Sequence, residues 1–153
     1  MNNKKRYPKT KTNLIVDTTF ILPALGINVE KEALETIKHF YGIHINYLEV
    51  SILEALWKII KIVPKNKLER VQEGIHAIKE TYKQINPPPE AYIDAYKMYH
   101  DGHKDYIDNL IYSTSRRTET PLLTIDKDLI NFLDKKNYPT NNILTPNKIK
   151  QEH

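Results

Sequence analysis

The chain has 153 residues, 40% of them hydrophobic, and a formal net charge of +4, which is the size and composition of one globular domain with a substantial core. It contains no cysteine, so disulfides, thiolate catalysis and cysteine-ligated zinc are excluded. No apolar run is long enough to span a bilayer, and the basic start is not followed by the apolar core of a signal peptide, so we expect a cytoplasmic protein without membrane contact.

The first predicted strand ends in an acidic residue. Residues 1–12 are basic and polar, and we expect them to form a flexible arm. Residues 14–16 are an unbroken apolar run, which is typical of a parallel strand buried on both faces. Asp17 closes this strand, at the edge where open α/β sheets bind their ligands. Alternatively, Asp17 only caps a helix that begins near Thr19.

The second acid lies in an early helix. The pattern predicts a helix over 30–40, a strand over 43–48 and a helix over 49–63 that is apolar around most of its circumference, which indicates a buried helix. Glu54 lies inside this third segment, and its alternative role is an ion pair with Lys58 one turn later. Glu49 is the competing acid, although the helix dipole already explains an acid in a first turn.

Three consecutive prolines then separate two helices. The apolar spacing predicts a long amphipathic helix over 67–85, which the prolines at 87–89 stop. A second helix is predicted over 89–102, with Pro89 suited to its first turn. We expect these two helices to form an arm or clip outside the sheet.

The third acid is one of two aspartates at the start of another helix. The segment 103–117 has the apolar stripe of a packed helix, and Asp105 and Asp108 lie one turn apart on a common face. Such a pair is also what the solvent side of a helix looks like. The sequence alone therefore leaves both aspartates open as site residues.

The fourth acid repeats the pattern of the first. A second apolar strand over 122–125 ends in Asp126, which alternatively caps the helix that follows. The pattern predicts a last short strand over 141–146. We place the domain at 13–146 and expect a frayed tail over 147–153.

Gathering several carboxylates in one place is unfavourable unless a cation holds them. A convergent set of acids therefore predicts a hard divalent metal that prefers oxygen ligands, and such a metal points to phosphodiester chemistry. The acids that end strands or interrupt apolar helices are Asp17, Glu54, Asp108 and Asp126.

The order of these pieces resembles the PIN-domain family of metal-dependent ribonucleases. From about Asn13 to Pro146 the chain reads strand-Asp-Thr-Thr, then an apolar helix with an internal Glu, then Asp-x-Leu-Ile-x-x-Thr-Ser, then Leu-Leu-Thr-x-Asp. The resemblance implies an α/β/α sandwich with a central, mainly parallel, twisted sheet.

The resemblance also assigns roles to the residues. It implies that the catalytic and metal-binding acids are Asp17, Glu54, Asp108 and Asp126, with Asp105 as an alternate or additional ligand. Thr19 and Thr124 would be accessory hydroxyls. Together the acids would hold one or two Mg²⁺ or Mn²⁺ ions and support endonucleolytic hydrolysis of RNA, leaving a 3′-hydroxyl and a 5′-phosphate.

Charge and family together indicate the partners. A basic cluster near an acidic metal site would hold the phosphate backbone of RNA, and the residues we expect to do so are Lys58, Lys61, Arg116 and Arg117. Many PIN proteins of this length are toxins of the VapBC type, restrained by a small antitoxin and assembled as homodimers. The alternatives are a degenerate PIN domain that binds RNA or protein without cleaving, and a housekeeping RNA-processing nuclease.

Other α/β families fit less well. The first strand end reads Asp-Thr-Thr, whereas a haloacid-dehalogenase phosphatase needs Asp-x-Asp and a phospho-receiver domain needs paired acids there. A dinucleotide fold needs a glycine-rich first turn, which the four scattered glycines do not provide. His100 and His103 with two nearby aspartates lack a third clear ligand for a transition metal.

Overall fold

The structure is a computed structural model that describes residues 13–150, so the expected basic arm at 1–12 lies outside the described residues. Its centre is a five-stranded sheet of order β3-β2-β1-β4-β5 in which every paired neighbour is parallel. The strands are β1 (Asn13–Val16), β2 (His44–Leu48), β3 (Lys83–Ile85), β4 (Leu122–Leu123) and β5 (Ile143–Leu144).

Helices cover both faces of this sheet. Along β1 the side chains alternate between the faces: Leu14 and Val16 lie in one apolar cluster and Ile15 in the other. The first cluster includes residues of α1 (Lys31–Ile37), α2 (Glu49–Ile59), α3 (Leu68–Thr81) and α7 (Pro146–Lys150); the second includes residues of α4 (Pro89–Asp101), α5 (Tyr106–Thr118) and α6 (Lys127–Lys135). The expected three-layer fold with a mainly parallel sheet is confirmed.

The prediction that α2 is a buried helix is wrong. Its inward side, with Ile52, Ala55 and Ile59, is buried in the core. Leu53 and Trp57 on the outward side are 64% and 75% exposed. The reason is geometric, because a helix in the outer layer of a sandwich has only one side against the sheet, however apolar its other sides are.

The helix predicted over 67–85 also ends early. It stops at Thr81, and Lys83–Ile85 form the edge strand β3, which pairs in parallel with β2. The three prolines therefore follow a strand. No arm forms in the described part of the chain, because Ile78 of α3 and Ala95 of α4 are buried in the core clusters on opposite faces of the sheet.

Two smaller differences concern the end of the chain. The strand predicted over 122–125 spans only Leu122–Leu123, after which the backbone turns toward α6. Residues 147–150 of the expected frayed tail belong to α7, because Ile149 is fully buried in the apolar cluster that includes α1, and residues 151–153 lie outside the described residues. Within residues 13–150, no helix combines the length and the apolar character that crossing a bilayer requires.

The glycine in the middle of α3 fixes how closely this helix approaches the chain after β1. That chain forms a short 3-10 turn, Leu22–Leu25, and the Arg70 guanidinium of α3 donates a hydrogen bond to the Ala24 carbonyl at 2.8 Å. A Cβ atom added at Gly74 would lie 2.2 Å from the same carbonyl oxygen. The added Cβ would clash with backbone atoms of Ala24, so relieving the clash would require a shift of the backbone.

We predict that Gly74→Ala destabilises the protein by about 1 to 3 kcal/mol, the usual range for overpacking. Helix propensity alone would give the opposite sign, since alanine is favoured over glycine inside a helix by roughly 0.5 to 1 kcal/mol. Urea unfolding followed by circular dichroism measures the change. Glu73→Ala, on the exposed side of the same helix, is the matched control, and a Gly74→Ala protein at least as stable as wild type would contradict the close approach.

Candidate active site

The acids predicted from the sequence meet at one cleft beside the carboxyl ends of β1 and β4. The cleft has a volume of about 420 Å³. Its walls include all four predicted acids and the alternate ligand Asp105, so the structure brings the whole set together: Asp17, Glu54, Asp105, Asp108 and Asp126. This is the edge at which open parallel sheets bind ligands, and β1 and β4 are neighbours in the sheet.

Asp17 is buried at the floor of the cleft and bonded on both of its oxygens. The backbone N–H of Thr19 donates to Oδ1 at 3.1 Å, and the Thr124 hydroxyl donates to Oδ2 at 2.7 Å. Burial is the largest influence on this carboxyl and raises its pKa from 3.8 to about 6, even though both hydrogen bonds lower it. The nearby Asp126 charge adds to the rise.

Asp126 occupies the equivalent place after β4. Its Oδ1 accepts a hydrogen bond from the Leu129 N–H at 3.1 Å, which caps α6. Its own N–H donates to the Thr124 hydroxyl at 3.0 Å, so this hydroxyl links the two strand ends. A cap uses one carboxylate oxygen, and capping is therefore compatible with a second role for the other oxygen.

Helices α2 and α5 supply the remaining acids. Carboxylate oxygens of Glu54, Asp105 and Asp108 lie within 4.8 Å of one another. Burial is the main cause that raises the pKa of Asp108 well above its usual value, and the adjacent carboxyl of Asp126 raises it further. The Lys58 Nζ lies 3.5 Å from the Glu54 Oε1, so the expected ion pair is present and it lies in the cleft wall.

The two aspartates of α5 differ in position. Asp105 precedes the helix as its N-cap, accepting a hydrogen bond from the Asp108 N–H at 3.1 Å, and it is exposed. Asp108 lies in the first turn, partly buried beside Asp126. The expectation that both lie within the helix is thus wrong for Asp105. Asp108 is the one held closest to the strand-end acids.

Three further acids in the cleft wall were not predicted. They lie at or near the starts of helices, where favourable interaction with the helix dipole gives an acid a sufficient local reason: Glu30, Glu32 and Asp128. No local signal in the sequence separates them from ordinary first-turn acids. They make the cleft strongly anionic, with Lys58 and Lys127 as the lysines of its wall.

The four predicted RNA-binding residues do not converge. Lys58 lines the cleft, whereas Lys61 is exposed three residues further on and is not part of its wall. Arg116 and Arg117 lie in the last turn of α5, about 12 Å along the helix from Asp108. There Arg116 donates to the Asn141 Oδ1 at 2.5 Å and Arg117 pairs with Asp94 at 2.6 Å.

Comparison with known proteins supplies the family. A family model described as PIN domain matches residues 14–135, most of the chain. The chain belongs to the PIN domain family. No curated protein matches it, so the family assignment rests on that model and on the fold, and the predicted resemblance to this family is confirmed.

Solved structures with this PIN fold are similar at low sequence identity. A toxin-antitoxin complex from Klebsiella pneumoniae has a chain with a TM-score of 0.60 and 15% identity, covering 87% of this chain and 97% of its own. PAE2754 from Pyrobaculum aerophilum is similar with a TM-score of 0.60 and 15% sequence identity, and the match covers 93% of this chain and 95% of PAE2754. Mycobacterium tuberculosis VapC20, described as a sarcin-ricin loop cleaving toxin, is similar with a TM-score of 0.57 and 13% sequence identity. That match covers 77% of this chain and 93% of VapC20.

The raised pKa of Asp17 predicts how stability depends on pH in metal-free protein. Between its ordinary pKa of 3.8 and its folded pKa of about 6, the folded state keeps a proton that the unfolded chain has lost. Stability therefore falls as the pH rises through this window. We expect Asp17→Asn to remove this fall, worth up to about 3 kcal/mol for a shift of roughly two pKa units.

Thermal melts in excess chelator, at several pH values across this window, measure the difference between variant and wild type. That difference should increase toward the upper end of the window. Asp134→Asn, an exposed substitution outside the cleft wall, should follow the wild-type curve. Parallel curves for wild type and Asp17→Asn would show that Asp17 ionises normally.

Proposed function

We propose that this PIN domain is a metal-dependent endoribonuclease that hydrolyses RNA phosphodiester bonds. The single observation that carries the proposal is the convergence of five carboxylates on one cleft, two of them with raised pKa values. Carboxyl groups forced together in this way bind a divalent cation readily, because the cation removes their mutual repulsion. A degenerate domain that only binds RNA would have no need to retain this unfavourable cluster.

The donor set fits Mg²⁺ or Mn²⁺. The four predicted acids of the cleft offer only oxygen atoms, which suits these hard ions, and we assign the metal to Asp17, Glu54, Asp108 and Asp126. When bound, such an ion polarises the scissile phosphate and lowers the pKa of the attacking water. No side-chain nucleophile is needed.

The other residues hold these carboxylates in place. Thr124 orients Asp17 and fixes the backbone of Asp126, while the Thr19 N–H holds the second oxygen of Asp17. Asp108 is the proposed direct ligand because it is partly buried next to Asp126. Asp105, exposed at the N-cap, is then an outer ligand, and Lys58 places one cation at the cleft for the RNA backbone.

We predict that Asp17→Asn and Asp108→Asn each reduce cleavage of single-stranded or looped RNA by more than about 100-fold, beyond the range typical of an outer ligand. Each change removes one charge at nearly constant volume. Asp105→Asn, one helical turn from Asp108, is the matched variant and should lose about 10-fold, the lower end of the range for an outer ligand. Initial rates on end-labelled RNA with Mg²⁺ or Mn²⁺ measure the effect.

Metal binding is followed separately by thermal melting. Mn²⁺ should raise the melting temperature of wild type, since only the folded site gathers the ligands, and Asp126→Asn should flatten that response. Equal cleavage in excess chelator would exclude the metal mechanism. A rate for Asp108→Asn that exceeds the rate for Asp105→Asn would reverse the assignment of the two aspartates.

The biological role we propose is that of a cytoplasmic toxin of the VapBC type. Two of the similar structures are described as a toxin-antitoxin complex and as a toxin. The outward residues of α2, Leu53 and Trp57, form an exposed apolar surface on the helix that carries Glu54 and Lys58. An antitoxin bound there would bury this surface and cover the cleft. A second copy of the chain is the remaining proposed partner.

We expect production of the wild-type chain in a bacterial host to arrest growth, because unrestrained cleavage of RNA stops protein synthesis. Asp17→Asn at the same protein level should be tolerated, and Asp134→Asn should be as toxic as wild type. Growth curves with immunoblots of the produced protein provide the measurement. Normal growth with abundant active wild-type protein would favour the housekeeping nuclease over the toxin.

A further inference from the structure

One side of α4 carries a row of exposed aromatic side chains. Tyr92, Tyr96 and Tyr99 are 45%, 58% and 38% exposed. Their spacing of four and three residues places them on one side of the helix. We call these three residues the tyrosine row. The buried side of the same helix, with Ala91, Ala95 and Met98, packs into the core.

The tyrosine row adjoins the acidic cleft through the residues on either side of Asp105. The Tyr106 hydroxyl donates a hydrogen bond to the Tyr92 carbonyl at 2.8 Å. The Lys104 ammonium lies 4.3 Å from the centroid of the Tyr99 ring and donates to the Tyr99 carbonyl at 3.1 Å. Since Asp105 itself lines the cleft, the row continues outward from the cleft wall.

The acidic residues of α4 do not lie on the same side of the helix as the tyrosine row. Asp94 pairs with Arg117, and Asp101 accepts a hydrogen bond from the Tyr138 hydroxyl at 2.5 Å. By helical spacing these two acids and Glu90, the third acid of α4, all lie on the side away from the tyrosine row. The row side therefore presents aromatic rings together with the Lys104 cation.

This chemistry suits nucleic acid better than an apolar protein segment. The outward side of α2 is largely aliphatic apart from Trp57, whereas the row offers ring faces with polar hydroxyl ends and an adjacent cation. Bases stack on such rings whatever their sequence, and a nearby lysine attracts the phosphate backbone. From Tyr92 to Tyr99 the helix rises about 10 Å, which matches roughly three stacked bases.

We propose that the tyrosine row is a base-stacking platform for single-stranded RNA that leads into the acidic cleft. Tyr92 and Tyr96 take the bases, and Lys104 contacts a phosphate beside Tyr99. The proposal rests on the proposed ribonuclease function, since it names the surface that holds the strand on one side of the scissile bond. It assigns RNA contact to α4, which we expected from the sequence only as part of an arm or clip outside the sheet.

Binding of fluorescently labelled oligouridylate, measured by anisotropy in excess chelator, tests the proposal without cleavage. The double variant Tyr92→Ala with Tyr96→Ala should raise the Kd by about 10-fold or more, since one lost stack is worth roughly 5- to 150-fold. The matched Tyr92→Phe with Tyr96→Phe protein keeps the rings and should bind as wild type. Tyr41→Ala is the control. Tyr41 is 96% exposed in the segment that leads into the amino end of β2, whereas the cleft lies beside the carboxyl ends of the strands.

A second readout separates stacking from charge. An abasic oligonucleotide of the same length should bind wild type and the alanine double variant equally, because only the sugar-phosphate backbone remains. The single Tyr96→Ala protein, changed at the most exposed ring of the row, serves if the double variant melts at a lower temperature. Unchanged RNA affinity in the folded alanine variants, or equal losses with alanine and phenylalanine, would overturn the proposal.

A wild-type dimer that becomes monomeric in the alanine variant, measured by light scattering, would likewise overturn it and make the row a contact between two copies. The proposed ribonuclease function fails in a different way. If RNA affinity depends on the rings but Mg²⁺ and Mn²⁺ produce no cleavage, the platform stands and the catalytic proposal falls. If a dinucleotide, too short to reach the row, is cleaved at different rates by wild type and the alanine variant, the row acts on the cleft itself and the platform is refuted.

Discussion

The hydroxyl of Thr124 holds the acidic cleft together. It is fully buried, donates to the Asp17 carboxylate and accepts from the Asp126 backbone N–H. It can do both only because β1 and β4 are parallel neighbours whose carboxyl ends lie side by side. The chain crosses more than a hundred residues between the two aspartates, so the cleft depends on the sheet pairing being complete. A site of this kind cannot form in part of the chain alone.

Three of the carboxylates that line the cleft also cap helical segments. Asp17, Asp105 and Asp126 each accept a backbone hydrogen bond at the start of a helical segment. Such caps stabilise helices by about 1 kcal/mol and also fix the orientation of the carboxylate. From the sequence, capping and a role at the site looked like competing explanations. The geometry is compatible with both, because a carboxylate has about four acceptor positions and a cap occupies only one.

Much of the fold and the acid set could be predicted because it is encoded locally. The apolar run before Asp17 is typical of a strand buried on both faces, and the order of the four acids follows the order of the elements. The edge strand Lys83–Ile85 could not be predicted, since it is mostly polar and its conformation depends on the free edge of β2. Glu30 and Glu32 reach the cleft through tertiary packing, for which their own neighbours in sequence give no signal.

The wrong prediction of a fully buried α2 has a physical cause. Apolar composition indicates that a helix can be buried, but it does not say which sides another layer will cover, and the outward side of α2 is the result. Charge composition likewise does not say where a basic side chain will lie, and Arg116 and Arg117 stand in the last turn of α5, away from Asp108 in its first turn. The same helical rise that separates those arginines from the cleft brings them to the loops around Asn141 and to Asp94.

The two outer strands have a consequence for behaviour at high concentration. An unpaired strand edge can recruit another chain and start aggregation, and short edges beside prolines resist this. Here β3 has three residues and precedes Pro87, while β5 has two residues and lies just before Pro146. Each edge offers only a few free backbone groups over a short distance. Both edges of the all-parallel sheet therefore resist strand addition through their short length and the prolines that follow them.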